Sequence, residues 1–379
     1  MSETMNSIFA SAPIIHFPRP GRWSETLSAR RRPPDIDQST LEAILNHYRL
    51  ELASGPRNMP NARRNQNLVL RTTAGKKVIK RYRADWKPAT IVFEHSILNR
   101  LKETGFPAPC LVKAPDDETC FNANGQNYCL FDFLNGANYS SSFLLRPQRV
   151  RMMYTAGATL ARLHRHLQGF LPAGQHHLGF RDYTGDRWRD LMWYSTSLDE
   201  FGRRSQGLDD LTQRSHSSWL VSHSAKILAD LDRLGSSLAI VNLPRLIIHG
   251  DYGLHNLLYQ GVDRAVPVDF ELARLEWRLC DLVSVVSKFR YKTGSYDLES
   301  ITHFLRAYQR EFPIPDNEWE WMPHVWKYYK LTKAVQYWGS FFETNGPTRK
   351  LISARDEVLQ SGWAQENFSQ LSAYRGENK

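Results

Sequence analysis

The chain has 379 residues, of which 41% are hydrophobic and 23% charged, a length that suits two domains or one large bilobal one and a balance ordinary for a soluble globular protein. No run approaches the roughly 18 apolar residues that span a bilayer, and the opening MSETMNSIFASAPIIHFPRP lacks a basic start followed by an apolar core, so the expectation is a cytoplasmic protein with no membrane span and no secretory signal. The net charge of +10 would suit an anionic ligand, but the basic residues are scattered rather than set in a stripe, and nucleic acid is not an expected partner.

Residues 1–35 combine Pro13, Pro18, Pro20, Pro33 and Pro34 with Arg30, Arg31 and Arg32, which disfavours helix and packed sheet and reads as a flexible arm. Ser39 with Glu42 fits a capping box for a helix whose apolar face is Leu41, Ile44, Leu45 and Tyr48. From Asn67 to Tyr82 the chain alternates as a hairpin, Leu68 to Leu70 and Val78 to Lys80 around a turn at Ala74 and Gly75. Period-two geometry sets Val78, Lys80 and Tyr82 on one face. Helical spacing over residues 89–104 aligns Glu94 with the apolar stripe Ile97, Leu98 and Leu101. A carboxylate on an inward stripe needs a partner, and Lys80 is the obvious one.

Tyr128 to Leu134 reads as a buried strand entering a connection, and a helix from about Pro147 to Leu167 follows, with Met153, Ala156, Leu160, Leu163 and Leu167 facing the core. His164 on that helix reads as a packed histidine. Residues 181–240 are mixed helix and loop with Trp188, Trp193 and Trp219 and the acids Asp182, Asp186, Asp190, Asp199 and Glu200, read as a solvated face. The four cysteines, Cys110, Cys120, Cys129 and Cys280, have no zinc-like spacing and are expected to be reduced.

The stretch His249-Gly250-Asp251-Tyr252-Gly253-Leu254-His255-Asn256 is a polar loop clamped by the apolar runs Leu246 to Ile248 and Leu257 to Tyr259. Leu257 to Tyr259 and Val266 to Phe270 form a second hairpin that returns Asp269 toward this loop. Moving a phosphoryl group to a hydroxyl requires neutralised charge, aligned groups and a proton acceptor. Asp251 is the candidate acceptor, Asn256 and Asp269 are candidate Mg²⁺ ligands, and Lys80, steadied by Glu94, is the candidate partner of the nucleotide phosphates. Downstream of Leu282 the chain reads as mainly helical, with Trp326, Tyr329, Tyr337 and Trp338 as core.

HGDYGLHN followed by VDFE resembles the catalytic and metal-binding motifs of the aminoglycoside phosphotransferase and choline kinase group, small-molecule kinases with a protein-kinase-like fold. VIKRY, FEHSIL, YCLFDFLNG and AGATLARLH are similar to that group's strand lysine, helix glutamate, hinge and C-lobe helix, in the same order over roughly residues 55–345. Homoserine-kinase-like and spore-coat-type branches look most similar. The resemblance implies an α+β bilobal fold with an N-lobe over residues 36–134, a small antiparallel sheet with one helix, and a larger, mostly helical C-lobe over residues 135–379. It also implies ATP or GTP with Mg²⁺ as cofactors and a small hydroxyl-bearing acceptor. By the same resemblance Asp132, Phe133 and Leu134 form the adenine hinge and Asp281 in RLCDL braces the catalytic loop; within the loop itself, His249 is read as bracing the backbone rather than taking a proton.

Two departures stand out. SGPRNMPNARRNQN has a single glycine where a phosphate-covering loop is expected, leaving Arg63, Arg64 or Asn65 to compensate, and His255 stands where the group often has a small residue. They keep open a catalytically silent nucleotide-binding protein of the same fold. A protein kinase fits less well, because no APE-like motif follows Asp269. Acceptor identity and oligomeric state are not encoded in these motifs.

Overall fold

Alternating apolar residues build the first part of the chain into an antiparallel sheet of five strands in the order β1-β2-β3-β5-β4: β1 (Leu52–Asn58), β2 (Gln66–Thr72), β3 (Gly75–Arg81), β4 (Phe121–Ala123) and β5 (Gln126–Asp132). The structure, a computed structural model, describes residues 36–58, 66–84, 86–139, 145–175, 191–291, 294–343, 345–373 and 375. The N-terminal arm, Arg63, Arg64 and Asn65, Trp188, and the acids Asp182, Asp186 and Asp190 lie outside those residues. The β2–β3 hairpin closes with Thr72 opposite Gly75, whose φ of +99° is the positive value such a turn needs.

Period-two alternation gives the sheet two apolar faces. Leu68, Leu70, Ile79 and Leu130 pack with Leu41, Ile44 and Leu45 of helix α1 (Gln38–His47). Tyr82, Cys129 and Phe131 join Ile97, Leu98 and Leu101 of α2 (Pro88–Glu103) in a core that continues into the rest of the molecule. The cap of α1 differs from the expected Ser39–Glu42 box: Asp37 is the N-cap, its Oδ1 accepting from the Thr40 amide at 2.7 Å, while the Ser39 hydroxyl itself donates to Asp37. A carboxylate two residues earlier wins because it satisfies the orphan amide and carries the charge that the helix start favours.

The larger C-terminal part is helical: α3 (Arg146–Leu167), α4 (Leu191–Ser205), α5 (Leu211–Ile240), α6 (Arg278–Val286), α7 (Leu298–Glu311), α8 (Asp316–Glu343) and α9 (Arg349–Leu359), followed by short turns at Trp363–Glu366 and Phe368–Leu371. The expected stripe of α3 is buried throughout, and α3 meets α7 closely at Gly157, where a Cβ would stand 2.1 Å from the Phe304 carbonyl oxygen. On α8, Trp326, Tyr329 and Trp338 are buried as core. The stretch expected as mixed helix and loop is, from Leu191 onward, two amphipathic helices with a short link between them.

Two small antiparallel ladders carry the middle of the chain, β6 (Arg245–Ile248) with β9 (Arg274–Trp277) and β7 (Leu257–Tyr259) with β8 (Ala265–Pro267). The strand expected to reach Phe270 ends at Pro267, since Asp269 takes a left-handed backbone (φ +67°) that ladder geometry does not admit. The architecture is thus α+β and bilobal, a small sheet lobe on a larger helical one. Among the described residues no helix is long and apolar enough to cross a membrane.

Candidate active site

In the sheet lobe, β3 turns Lys80 inward and α2 brings Glu94 to it, with Lys80 Nζ 2.9 Å from Glu94 Oε1 and both side chains buried. Burial opposes the charge on each. Glu94, Asp269 and Glu271 nonetheless raise the lysine pKa above its usual value, and Lys80 and His95 hold the Glu94 carboxyl below its own. The second Glu94 oxygen accepts from the Tyr82 hydroxyl at 2.9 Å, Tyr82 lies 3.2 Å from His95 Nε2, and His95 Nδ1 lies 2.7 Å from the Thr119 hydroxyl. Burial pushes His95 down to about 4, so its ring is neutral near pH 7. A neutral ring with its proton on Nε2 donates to Tyr82 and accepts from Thr119, so every member of the chain points its proton toward Glu94.

In the helical lobe the loop 249–256 leaves β6 and ends in a single 3₁₀ turn, Leu254–Asn256, that feeds β7. Asp281, in the first turn of α6 and fully buried, accepts from the His249 amide at 2.7 Å and the Gly250 amide at 2.9 Å. His164 Nε2 lies 3.1 Å from the same carboxylate and its Nδ1 2.8 Å from the Tyr308 hydroxyl. Burial opposes ionisation of Asp281, but His164, His249 and the loop amide hold its pKa below the usual carboxylate range. His164 is pushed down by burial, so its contact with Asp281 is a hydrogen bond from a neutral ring. His249, likewise lowered by burial, has Nε2 3.0 Å from the Val268 carbonyl and braces backbone. Gly250 (φ +81°) passes so close to the segment after Asp269 that a Cβ would stand 2.0 Å from the Leu272 carbonyl oxygen.

Asp251 is half-buried, with Oδ2 3.3 Å from Asn256 Nδ2 and 3.2 Å from His255 Nε2, and Oδ1 3.1 Å from Lys288 Nζ. The Asn256 amide nitrogen also donates to the Asp251 carbonyl at 3.0 Å, which leaves its Oδ1 as the atom to offer a cation. The Asn256 carbonyl accepts from the Val268 amide at 2.9 Å, tying Asn256 to the chain just before Asp269. Asp269 is exposed, and its Oδ1 lies 3.7 Å from Lys80 Nζ, so the two lobes meet at this pair. An amide oxygen and a carboxylate are hard oxygen donors, the set that Mg²⁺ takes alongside phosphate oxygens. The residues present therefore fit the cation.

At the proposed hinge Asp132 ends β5, with its carboxylate 2.6 Å from Lys77 Nζ and its amide donating to the Cys110 carbonyl. That ion pair engages the Asp132 carboxylate at the surface, and Leu134 lies two residues beyond it. Immediately beyond, Ala137 and Tyr259 exchange backbone hydrogen bonds at 2.9 Å, and the Asn138 side-chain Nδ2 donates to the carbonyls of Leu254, His255 and Leu257. The hinge is thereby stitched to the candidate catalytic loop.

Asn138 and Lys288 escaped the sequence reading. Each reaches the loop from more than 30 positions away with no spacing rule to announce it, and the only available signal was a polar side chain beside an apolar run. His164 was read as packed and is, but it packs against Asp281, which in turn holds the candidate catalytic loop.

A sequence profile of the phosphotransferase enzyme family known as APH matches residues 58–322, well over half of the chain. The chain belongs to that family. It is a small-molecule phosphotransferase, as its motifs led us to expect. A homoserine kinase of Caulobacter vibrioides is 24% identical over 291 residues, spanning 76% of this chain and 83% of that protein. Among solved structures, a microcompartment-associated aminopropanol kinase aligns with a TM-score of 0.63 at 16% identity, over 88% of this chain and 98% of the other. An amicoumacin kinase in complex with AMP-PNP, Ca²⁺ and Ami gives 0.63 at 14% identity, over 85% and 93%. These two likenesses show that the phosphotransferase fold is shared.

Proposed function

We propose that this phosphotransferase moves the γ-phosphoryl group of ATP, or of GTP, to a hydroxyl of a small acceptor of the amino alcohol, amino acid, sugar or aminoglycoside type, with the lobe boundary after Leu134. The observation that carries the reading is Lys80, held 2.9 Å from Glu94 and 3.7 Å from Asp269, so that one buried cation faces an exposed carboxylate of the other lobe. Lys80 binds the α- and β-phosphates, Asn256 and Asp269 hold Mg²⁺, and the backbone around Asp132 and Leu134 receives the base. Mg²⁺, when bound, neutralises charge on the transferring group. Asp251 orients the acceptor hydroxyl and takes its proton, while Asp281 and His249 keep the loop in place. The homoserine kinase relative and the structural likeness to an enzyme holding AMP-PNP support a nucleotide donor and make L-homoserine the first acceptor to try.

The test is ATP turnover by the purified chain against a panel of L-homoserine, 1-amino-2-propanol, sugars and aminoglycosides, repeated with Asp251→Asn. Loss of about 10²–10⁴-fold in kcat with an unchanged melting temperature is the expected result. Undiminished turnover in the variant would sink the assignment.

A further inference from the structure

Lys288 lies just past the C-terminal end of α6 and sends its ammonium across the loop to Asp251 Oδ1, at 3.1 Å, and to the Tyr252 carbonyl, at 3.3 Å. Its side chain and that of Asp251 are each about one third exposed, 32% and 31%, so the pair sits at the open mouth of the site and not in the core. Gly253 leaves the room for it, since a Cβ there would come 3.3 Å from Lys288 Nζ and 2.8 Å from the His255 ring.

Resting on the phosphotransfer reading above, we propose that Lys288 is a catalytic residue that binds the transferring phosphoryl group at its acceptor side. The argument is one of distance and of charge. A hydroxyl that gives its proton to Asp251 must come within about 3 Å of a carboxylate oxygen, and Lys288 Nζ already stands at that range from one of them. The phosphorus under attack lies next to that hydroxyl, so a small rotation of the lysine stem carries the ammonium from Asp251 to a phosphoryl oxygen. Lys80 cannot serve this end of the substrate while it is held between Glu94 and Asp269. In the step, the bond from acceptor oxygen to phosphorus forms and the bond from phosphorus to the β,γ-bridging oxygen breaks. The electron pair leaves with the nucleoside diphosphate and the hydroxyl proton goes to Asp251. Lys288 stays protonated throughout, neutralises an equatorial oxygen, and by leaving Asp251 frees that carboxylate to act. Such a cation is a point charge on a flexible stem, suited to following the phosphorus along its path.

The experiment compares the full chain with Lys288→Met, Lys288→Arg and Asp251→Asn. Turnover is measured as release of ADP from Mg-ATP, with L-homoserine and without an acceptor. Binding is measured for AMP-PNP and for ADP with aluminium fluoride, a mimic of the transferring group. Lys288→Met is expected to lose about 10²-fold in kcat and a similar factor in affinity for ADP with aluminium fluoride. It should bind AMP-PNP as tightly as the parent chain, which also reports that it is folded, and Lys288→Arg should recover part of the loss. A purely structural lysine would weaken both ligands together. The proposal is overturned if Lys288→Met keeps kcat and aluminium fluoride affinity within about twofold while Asp251→Asn has lost turnover. Turnover that survives in Asp251→Asn as well would overturn the phosphotransfer reading itself.

Discussion

Asp281 shows how much a single carboxylate can organise. It takes two consecutive backbone amides and the His164 ring, all in a fully buried setting where an unmet donor costs about 1–3 kcal/mol. Asp281→Asn keeps the shape but removes the charge and turns an NH₂ group toward donors. We expect it to destabilise the chain by about 3 kcal/mol, read as a lower urea midpoint with unchanged slope. An unaltered midpoint would show that a neutral amide meets these donors as well as the carboxylate does. Residues of this kind differ in how far the sequence reveals them. Asp251 and Asn256 are legible because a five-residue spacing fixes them on one loop, and Lys80 with Glu94 because two periodicities turn them toward the same core. Lys288, Tyr82 and His95 were not, since their roles arise only when separate elements pack and no local pattern marks the contact.

Between elements, the connection from β5 to β7 matters most. Asn138 holds three carbonyls on the way from the candidate catalytic loop into β7, and Ala137 pairs with Tyr259, so the loop is anchored from the hinge side as well as from α6. Asn138→Ala is expected to lower kcat about tenfold and to leave overall stability within about 1 kcal/mol, because the residue is exposed and its carbonyl partners can turn to water. Equal losses of activity and melting temperature would argue instead for a general scaffold role. Elements with a clear period, such as the β2–β3 hairpin and α3, were readable to within a residue or so. The cap at Asp37 and the strand end at Pro267 were not: two acceptable capping residues compete in the first case, and a left-handed Asp269 gives no compositional sign in the second.

At the scale of the whole molecule, acid sensitivity follows from three buried, neutral histidines. Burial lowers His164 and His249, and brings His95 to about 4 from an ordinary value near 6.5. As pH drops below 6.5 the unfolded chain takes up protons that the folded chain refuses. The contribution of His95, present in full above that pH, is thus lost on the way down to about pH 4, a change of about 3 kcal/mol. Glu94 and Asp281, both held below their usual values, add a loss at lower pH still, as they protonate. The melting temperature should therefore fall from pH 7 toward pH 4, and His95→Gln should flatten the upper part of that fall. A profile flat between pH 7 and 5 in the parent chain would contradict the buried neutral state.

The lysines of the site have one more consequence. Lys80 leans on Asp269 and Lys288 on Asp251, so each candidate cationic group already has an internal anion and each candidate carboxylate an internal cation. On the proposed reading, ligands enter by exchanging partners. A phosphate that draws Lys80 away leaves Asp269 seeking a cation, and a divalent ion that takes Asp269 leaves Lys80 seeking an anion. On that reading nucleotide and metal each raise the affinity of the site for the other, a reciprocal coupling written into the Lys80–Asp269 pair.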